Sequence, residues 1–463
     1  MEVLVIQPPA VAPVILDQTR GHVGYVAPPW EVSCLLSYLR QRTRHTGRIF
    51  DARIRSRWED DLAINVTTKK PATIAAVHCG IHDLDAAKRV VTVLRRARAE
   101  LPIVGFGELP TLNPSSFRAM SGMEYGIAGD PEPTLRQLLD NFHIAFRRQR
   151  IAGLIQDSND IAAPLWVGDL KTLAMPDWAD VSLPHYDTPA YPSGSRADIC
   201  MSRGAGELPV GALERPDGAP LRFGPMDRCV DMLQECTHLG VSETHFADPP
   251  DIWNADRLDE WLSRLARIQN AQDWSLRLLA LPLGESFRSR LVDQRCRRIE
   301  LLVPSGDPDI AARLDYETPD PQAMLEMSQW FQKLGVQLDY VFWIGGEEEP
   351  RGEASRILKF VRRLRYVSFA LEARPDVPPA EPRLADIARD VRRRVALSPG
   401  RRLAGFFKRI RSYHLNIDEE HRDLVIRPRG PPQAITGETD FHSLEKRDTD
   451  TPNDWKDGKG RTK

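Results

Sequence analysis

The chain has 463 residues, a formal net charge of −2 and 28% charged residues. Near-neutrality excludes a wholesale nucleic-acid binder, which carries a clear basic excess, and the length provides for two or three domains at a typical ~150 residues each. Nowhere do ~18 apolar residues run uninterrupted, so no membrane-spanning helix is expected.

The N-terminal Met-Glu-Val-Leu-Val-Ile-Gln-Pro-Pro has an acid where an export signal wants cations, and its apolar run stops at Pro8-Pro9. It reads as a first buried strand. Six cysteines (34, 79, 200, 229, 236, 296) are sparse and form no CxxC. They suggest reduced thiols and a cytoplasmic protein.

Up to about residue 142, short apolar runs alternate with helical patterns. Strands are expected at Val3–Ile6, Arg48–Ile54, Thr73–Val77, Ile103–Phe106 and Tyr125–Ala128. Helices are expected at Trp30–Arg42, at Asp85–Glu100 with a Val90, Val91, Val93, Leu94 stripe, and at Glu132–Leu139. This alternation predicts a doubly wound parallel sheet covered on both faces. Its ligand crevice would lie beyond the carboxyl ends of the strands, at Pro8-Pro9, His78-Cys79-Gly80, Gly105-Phe106-Gly107 and Gly129-Asp130. Glycine at such turns lets backbone approach a ligand closely, though a tight turn needs glycine too.

Residues 143–197 read as an ordered connector in which Trp166, Trp178, Tyr186 and Tyr191 alternate with prolines 164, 176, 184, 189 and 192. A second alternating series spans 198–375. Strands are expected at Ala197–Ser202, Glu243–Phe246, Ser275–Leu281, Arg298–Val303, Leu338–Ile344 and Tyr366–Leu371. The helices between them are Met226–Leu239, Asp256–Asn270, Pro321–Leu334 and Glu353–Leu364. Six such units predict a complete or partial (β/α)6 barrel of the TIM type, which periodicity does not separate from an open sheet. A basic helical extension (376–428) and a disordered tail (429–463) follow.

The order of parts resembles the cobalamin-binding radical SAM family, which joins a cobalamin domain to a partial barrel. Val104-Gly105-Phe106-Gly107-Glu108-Leu109-Pro110-Thr111 is similar to the family's glycine-rich turn ending in Pro-Thr. Ile127-Ala128-Gly129-Asp130-Pro131-Glu132 is similar to its Gly-Glu-Gly-Glu turn, with Asp130 and Pro131 as departures. Asp231–Phe246, Cys296–Glu300 and Phe342–Glu347 resemble successive barrel pieces. The resemblance implies cobalamin binding, with Pro8, Pro9, Cys79, Gly80, Gly105, Gly107, Glu108, Thr111, Gly129, Asp130 and Glu132 as candidate contacts. The chain has no DxHxxG, the cobalt-ligating motif of another cobalamin class, nor does this family generally use one.

One motif is missing. The family's chemistry needs CxxxCxxC after the first barrel strand, where three thiolates hold a [4Fe–4S] cluster and its fourth iron binds SAM. Here Ser202-Arg203-Gly204 leads into slots filled by Ala205, Pro209 and Ala212, none of which binds iron. Cys229 and Cys236 are seven apart on a helix, ~10.5 Å along its axis, which is wide for one compact cluster. No cluster is therefore expected, and SAM binding stays open.

Glu243, His245 and Asp248 at the second barrel strand could form a metal or acid–base site, or a polar barrel mouth without one. The basic amphipathic segment 401–414 could touch an anionic membrane or a partner, or pack on the barrel. The expected function is a cobalamin-binding, cluster-less homologue of that family acting as a non-radical partner or regulator, with an active homologue as the expected partner. The alternatives are a cobalamin/SAM-dependent methyltransferase, another radical SAM-type enzyme with an atypical site, or a structural subunit of a complex.

Overall fold

The computed structural model describes residues 1–9, 16–17, 28–67, 72–80, 84–156, 163–178, 181–188, 191–204, 221–248, 250–268, 272–305, 308–313, 316–317, 319–345, 350–364, 368–373, 386–387 and 390–391. The cluster slots Ala205, Pro209 and Ala212, the 401–414 segment and the 429–463 tail lie outside the described residues.

The first sheet contains β1 (Glu2–Gln7), β2 (Thr46–Asp51), β3 (Ile74–His78), β4 (Ile103–Phe106) and β5 (Tyr125–Ile127) in the order 2-1-3-4-5, all parallel. Leu154–Ile155 adds an antiparallel edge beside β5. This order reverses direction between β1 and β3, which is where doubly wound sheets bind ligands.

Helices α1 (Trp30–Arg42), α2 (Trp58–Thr67), α3 (Leu84–Ala97) and α4 (Pro131–Asp140) cover the two faces. Val90, Val91, Val93 and Leu94 of α3 are buried on one face of the sheet. Val32, Leu35 and Leu39 of α1 are buried on the other, with Leu135 and Leu138 of α4. The opposite side of α1 is also covered, since Tyr38 packs with Leu170, Leu173 and Ala174 of the connector. A helix enclosed on both sides buries even its small polar residues, here Ser33, Cys34 and Ser37.

The expected strand at Arg48–Ile54 stops at Asp51, because the Asp51 carboxylate accepts from the Arg53 amide at 2.9 Å and turns residues 52–54 into a 3-10 helix.

The second sheet is a partial barrel of six parallel strands. These are β6 (Tyr191–Ile199), β7 (Glu243–Phe246), β8 (Trp274–Leu279), β9 (Cys296–Val303), β10 (Gln337–Ile344) and β11 (Ser368–Ala373), adjacent in chain order. Its edges are short antiparallel strands, Asp187–Thr188 on β6 and Leu16–Asp17 on β11. The first barrel strand thus begins inside the proline-rich connector and ends at Ile199, three residues short of the expected end.

Helices α5 (Met226–His238), α6 (Ala255–Ile268), α7 (Glu285–Asp293), α8 (Pro321–Lys333) and α9 (Pro350–Leu364) cover the outside. Period-two alternation sends one set of strand side chains outward. Ile199, Phe246, Leu276, Leu301 and Phe342 join Leu233, Trp261, Leu265 and Phe331 in one continuous core. Phe246, Trp261 and Trp274 meet there edge to face, with centroids 4.8–6.0 Å apart. Trp178 and Tyr186 of the connector bury in the same core. The Tyr186 hydroxyl also donates to Asp51 at 2.7 Å, fastening the connector to β2.

Candidate functional site

At the β1/β3 reversal, Gln7 Nε2 lies 3.5 Å from His78 Nδ1, and His78 Nε2 lies 2.9 Å from Glu31 Oε2 at the start of α1. His78 also packs edge-on against Phe106. Pro8, Cys79 and Gly80 are buried around this point and Pro9 is half-buried. The Cys79 amide donates to the Phe106 carbonyl at 2.7 Å, and the Cys79 carbonyl accepts from Leu109 at 2.9 Å. Both backbone groups of that turn are therefore paired within the chain.

Gly107 has φ +111°, a conformation that favours glycine. It precedes the short helix Glu108–Leu112, where Glu108 is exposed. Thr111 is buried and joins two turns, since its hydroxyl donates to the Gly107 carbonyl at 2.7 Å and accepts from the Gly129 amide at 3.0 Å. Gly105 lies within β4. A Cβ there would come within 2.5 Å of the Phe117 ring, so close packing against Phe117 accounts for this glycine.

The turn after β5 is covered by the connector. Gly129 has φ +90° and pairs with Leu165, and a Cβ on it would lie 2.2 Å from the Leu165 carbonyl oxygen. Asp130 and Glu132 are buried at the foot of α4. Their partners come from a two-stranded ladder, Ser202–Arg203 with Arg222–Phe223, that follows β6. Arg222 grips both carboxylate oxygens of Asp130, and Arg203 pairs with Glu132 at 2.6 Å. Sequence reasoning placed Asp130 and Glu132 as ligand contacts. It did not find these arginines, one of which lies 92 residues away.

Next to this junction, Trp30, Leu173, Met175, Cys200, Arg203 and Cys229 line a cavity of about 30 Å³. At ~10–15 Å³ per water, it holds two or three. As arranged, the described residues do not fit a corrin, because the facing turns pair with one another and this adjoining cavity is water-sized.

Burial holds the described thiols in the neutral form. Burial pushes the Cys34 and Cys236 thiols up to about 12 and raises Cys200, Cys229 and Cys296 further. Among the described residues, no group of three or more His, Cys, Asp or Glu side chains is arranged to hold a metal ion.

The inward barrel face carries a buried ionic network. Arg298, fully enclosed, donates to Glu243 at 2.8 and 3.0 Å and to Glu300, and stands 3.6 Å from Asp339. Arg277 pairs with Glu300 at 2.8 Å, and Arg196 with Asp198. Ser275 donates to Glu243, and His245 Nδ1 lies 2.8 Å from the Ser275 oxygen. With that hydroxyl proton committed to Glu243, Nδ1 is the protonated ring nitrogen. Burial and the nearby arginines hold His245 well below its ordinary pKa, so the ring is neutral.

Asp248 does separate work. It accepts from the Met201 and Ser202 amides and the Ser202 hydroxyl at 2.7–2.9 Å, tying the end of β7 to the ladder. Burial lifts its pKa to about 6.

No protein-family model matches the chain, and no curated protein matches it. Solved structures do. The chain is similar to the radical S-adenosylmethionine methyltransferase TsrM from Kitasatospora setae, with TM-score 0.60 and 15% identity over 80% of this chain and 73% of that one. A TsrM structure with cobalamin and a [4Fe–4S] cluster bound gives the same score and identity over 82% of this chain. The cobalamin-dependent S-adenosylmethionine radical enzyme OxsB with aqua-cobalamin bound matches at TM-score 0.58 and 14% identity, over 90% of this chain and 62% of that one. At these identities the likeness establishes a shared fold, a doubly wound sheet followed by a partial barrel.

Proposed function

We propose that this chain is a cluster-less, non-radical protein of the cobalamin-dependent radical SAM fold, acting as a partner or regulatory protein. The observation that carries this reading is chemical. After the first barrel strand, where the resemblance calls for CxxxCxxC, stand Ala205, Pro209 and Ala212. The six thiols lie elsewhere, and burial disfavours the thiolate in Cys34, Cys200, Cys229, Cys236 and Cys296. Iron–sulfur clusters of this kind are held by thiolates.

The barrel interior is packed by its own side chains. Its lower part is closed by the Arg298 network. Nearer the carboxyl ends, Leu302, Val341 and Trp343 pack with Leu279 and Tyr316. An active homologue is the proposed partner.

Anaerobic purification, reconstitution with iron and sulfide, and metal analysis test the proposal. The expected result is no retained iron or sulfide and no cluster absorption band. Stoichiometric iron and sulfide with such a band would overturn it.

A further inference from the structure

We propose that the cavity beside the sheet–barrel junction binds a small planar monovalent oxyanion, of the formate class, through Arg228 at the start of α5. Three separate parts of the chain wall this space. Trp30 comes from α1, Leu173 and Met175 from the connector, and Cys200, Arg203 and Arg228 from the barrel side.

Charge decides what enters. Arg203 is already neutralised, since it pairs with Glu132 at 2.6 Å and stands 3.8 Å from Asp130. Arg228 is not. It donates to the Leu170 carbonyl at 2.9 Å, and no carboxylate among the described residues pairs with it. Burial lowers its pKa, and Arg203 and Arg42 push the same way. Arg228 also stands in the first turn of α5, where a cation adds to the positive end of the helix dipole. Pro225 at the N-cap supplies no side-chain acceptor. A single bound negative charge relieves all three conditions.

Size and lining narrow the ion further. At ~10–15 Å³ per water, about 30 Å³ matches an ion of two or three heavy atoms. Leu170, Leu173, Ala174 and Met175 make much of the wall apolar, which disfavours a divalent, strongly hydrated ion. With Nη1 on the Leu170 carbonyl, Nε and Nη2 keep the parallel N–H donors that match two oxygens in one plane. Gly224 and Arg228 are half-buried, so an ion this small enters with no element displaced.

The site involves neither iron nor a corrin, so its test is separate from that of the cluster. Cys200, half-buried in the same wall, reports occupancy. The full chain is treated with N-ethylmaleimide, an uncharged reagent, in sodium formate or in sodium gluconate at equal ionic strength. Gluconate is too large for the cavity. Peptide mass spectrometry then gives the Cys200 labelling rate. Formate should slow it about fivefold in wild type as the site fills, and leave Arg228→Met unprotected. Formate should also raise the denaturant midpoint of wild type, as a ligand of the native state does, but not that of the variant. Should Arg228→Met not fold, Arg228→Gln removes the charge while keeping a polar side chain, and the same two readouts apply. Equal labelling of wild type in formate and gluconate overturns the inference. So does protection that survives in the Arg228 variant, and so does equal protection by chloride, which is spherical and shows no preference for a planar oxyanion.

Discussion

The carboxyl end of the first sheet and the interior of the barrel are both closed, by opposite means. In the first sheet, closure comes from distant chain. Leu165 covers Gly129, and Arg203 and Arg222 reach across from the ladder after β6. In the barrel, closure comes from the strands' own inward side chains, with Arg298 fully buried among Glu243, Glu300 and Asp339. A crevice shut by a separate segment can reopen by moving that segment. A barrel filled from its own walls empties only by unfolding or by mutation. The first is a cover, and the second is a core.

The largest expected effect breaks the barrel side of this comparison. Arg298→Met leaves Glu243, Glu300 and Asp339 without their central cation. Removing one member of a buried ionic cluster costs about 3–5 kcal/mol, a large part of a domain's net stability. Denaturant titration should show the loss as a lower midpoint or as insoluble protein. A midpoint within error of wild type would mean that the network does not hold the barrel.

A smaller effect sharpens the crevice side. Thr111→Val removes the hydroxyl linking the Gly107 and Gly129 turns and leaves the buried Gly129 amide unpaired, costing about 1–3 kcal/mol. Hydrogen exchange should rise at Gly129 first. Uniform loosening of the whole sheet would contradict a local tie.

Asp248 connects the two regions and supplies a pH dependence. Its pKa is raised in the folded state, so protonation favours folding. The stabilisation is fully present below about 4 and is lost as pH rises through about 6. Stability of wild type relative to Asp248→Asn should therefore fall between pH 4 and 7, by up to roughly 3 kcal/mol. A difference that is flat over this range would show that Asp248 titrates normally.

The smallest expected effect concerns the thiols. In native protein at pH 8, Cys200 is half-buried and the other five cysteines are buried, so an aromatic disulfide reagent should reach Cys200 first and slowly. All six should react in denaturant. Several fast thiols in the native state would contradict the burial described here.

Most strands, the doubly wound order and the barrel were legible because hydrophobic alternation is local. Glu243–Phe246 and Trp30–Arg42 were located to the residue. Helix α2 was passed over although Trp58, Leu62 and Val66 recur at the four-residue spacing of a buried helical face. Helix α7 left almost no signal, since Leu291 is its one fully buried residue. Alternation also put Glu243 and His245 on the same side of their strand. It could not name Arg298 as Glu243's partner, 55 residues away. The glycine turns were visible for the same local reason, whereas Leu165, Arg203 and Arg222 were not. Their meaning depends on which distant segment crosses the sheet, and no spacing rule encodes that.

Leu16–Asp17, from the N-terminal part of the chain, pairs with Leu371 and Ala370 of β11, the last barrel strand. During vectorial synthesis this early segment has no mate until the barrel's final strand emerges. Without that early segment β11 is a bare edge, the sort of surface through which chains associate wrongly. A barrel fragment expressed without its N-terminal region would carry that edge permanently, so its solubility should depend on supplying the missing segment in trans.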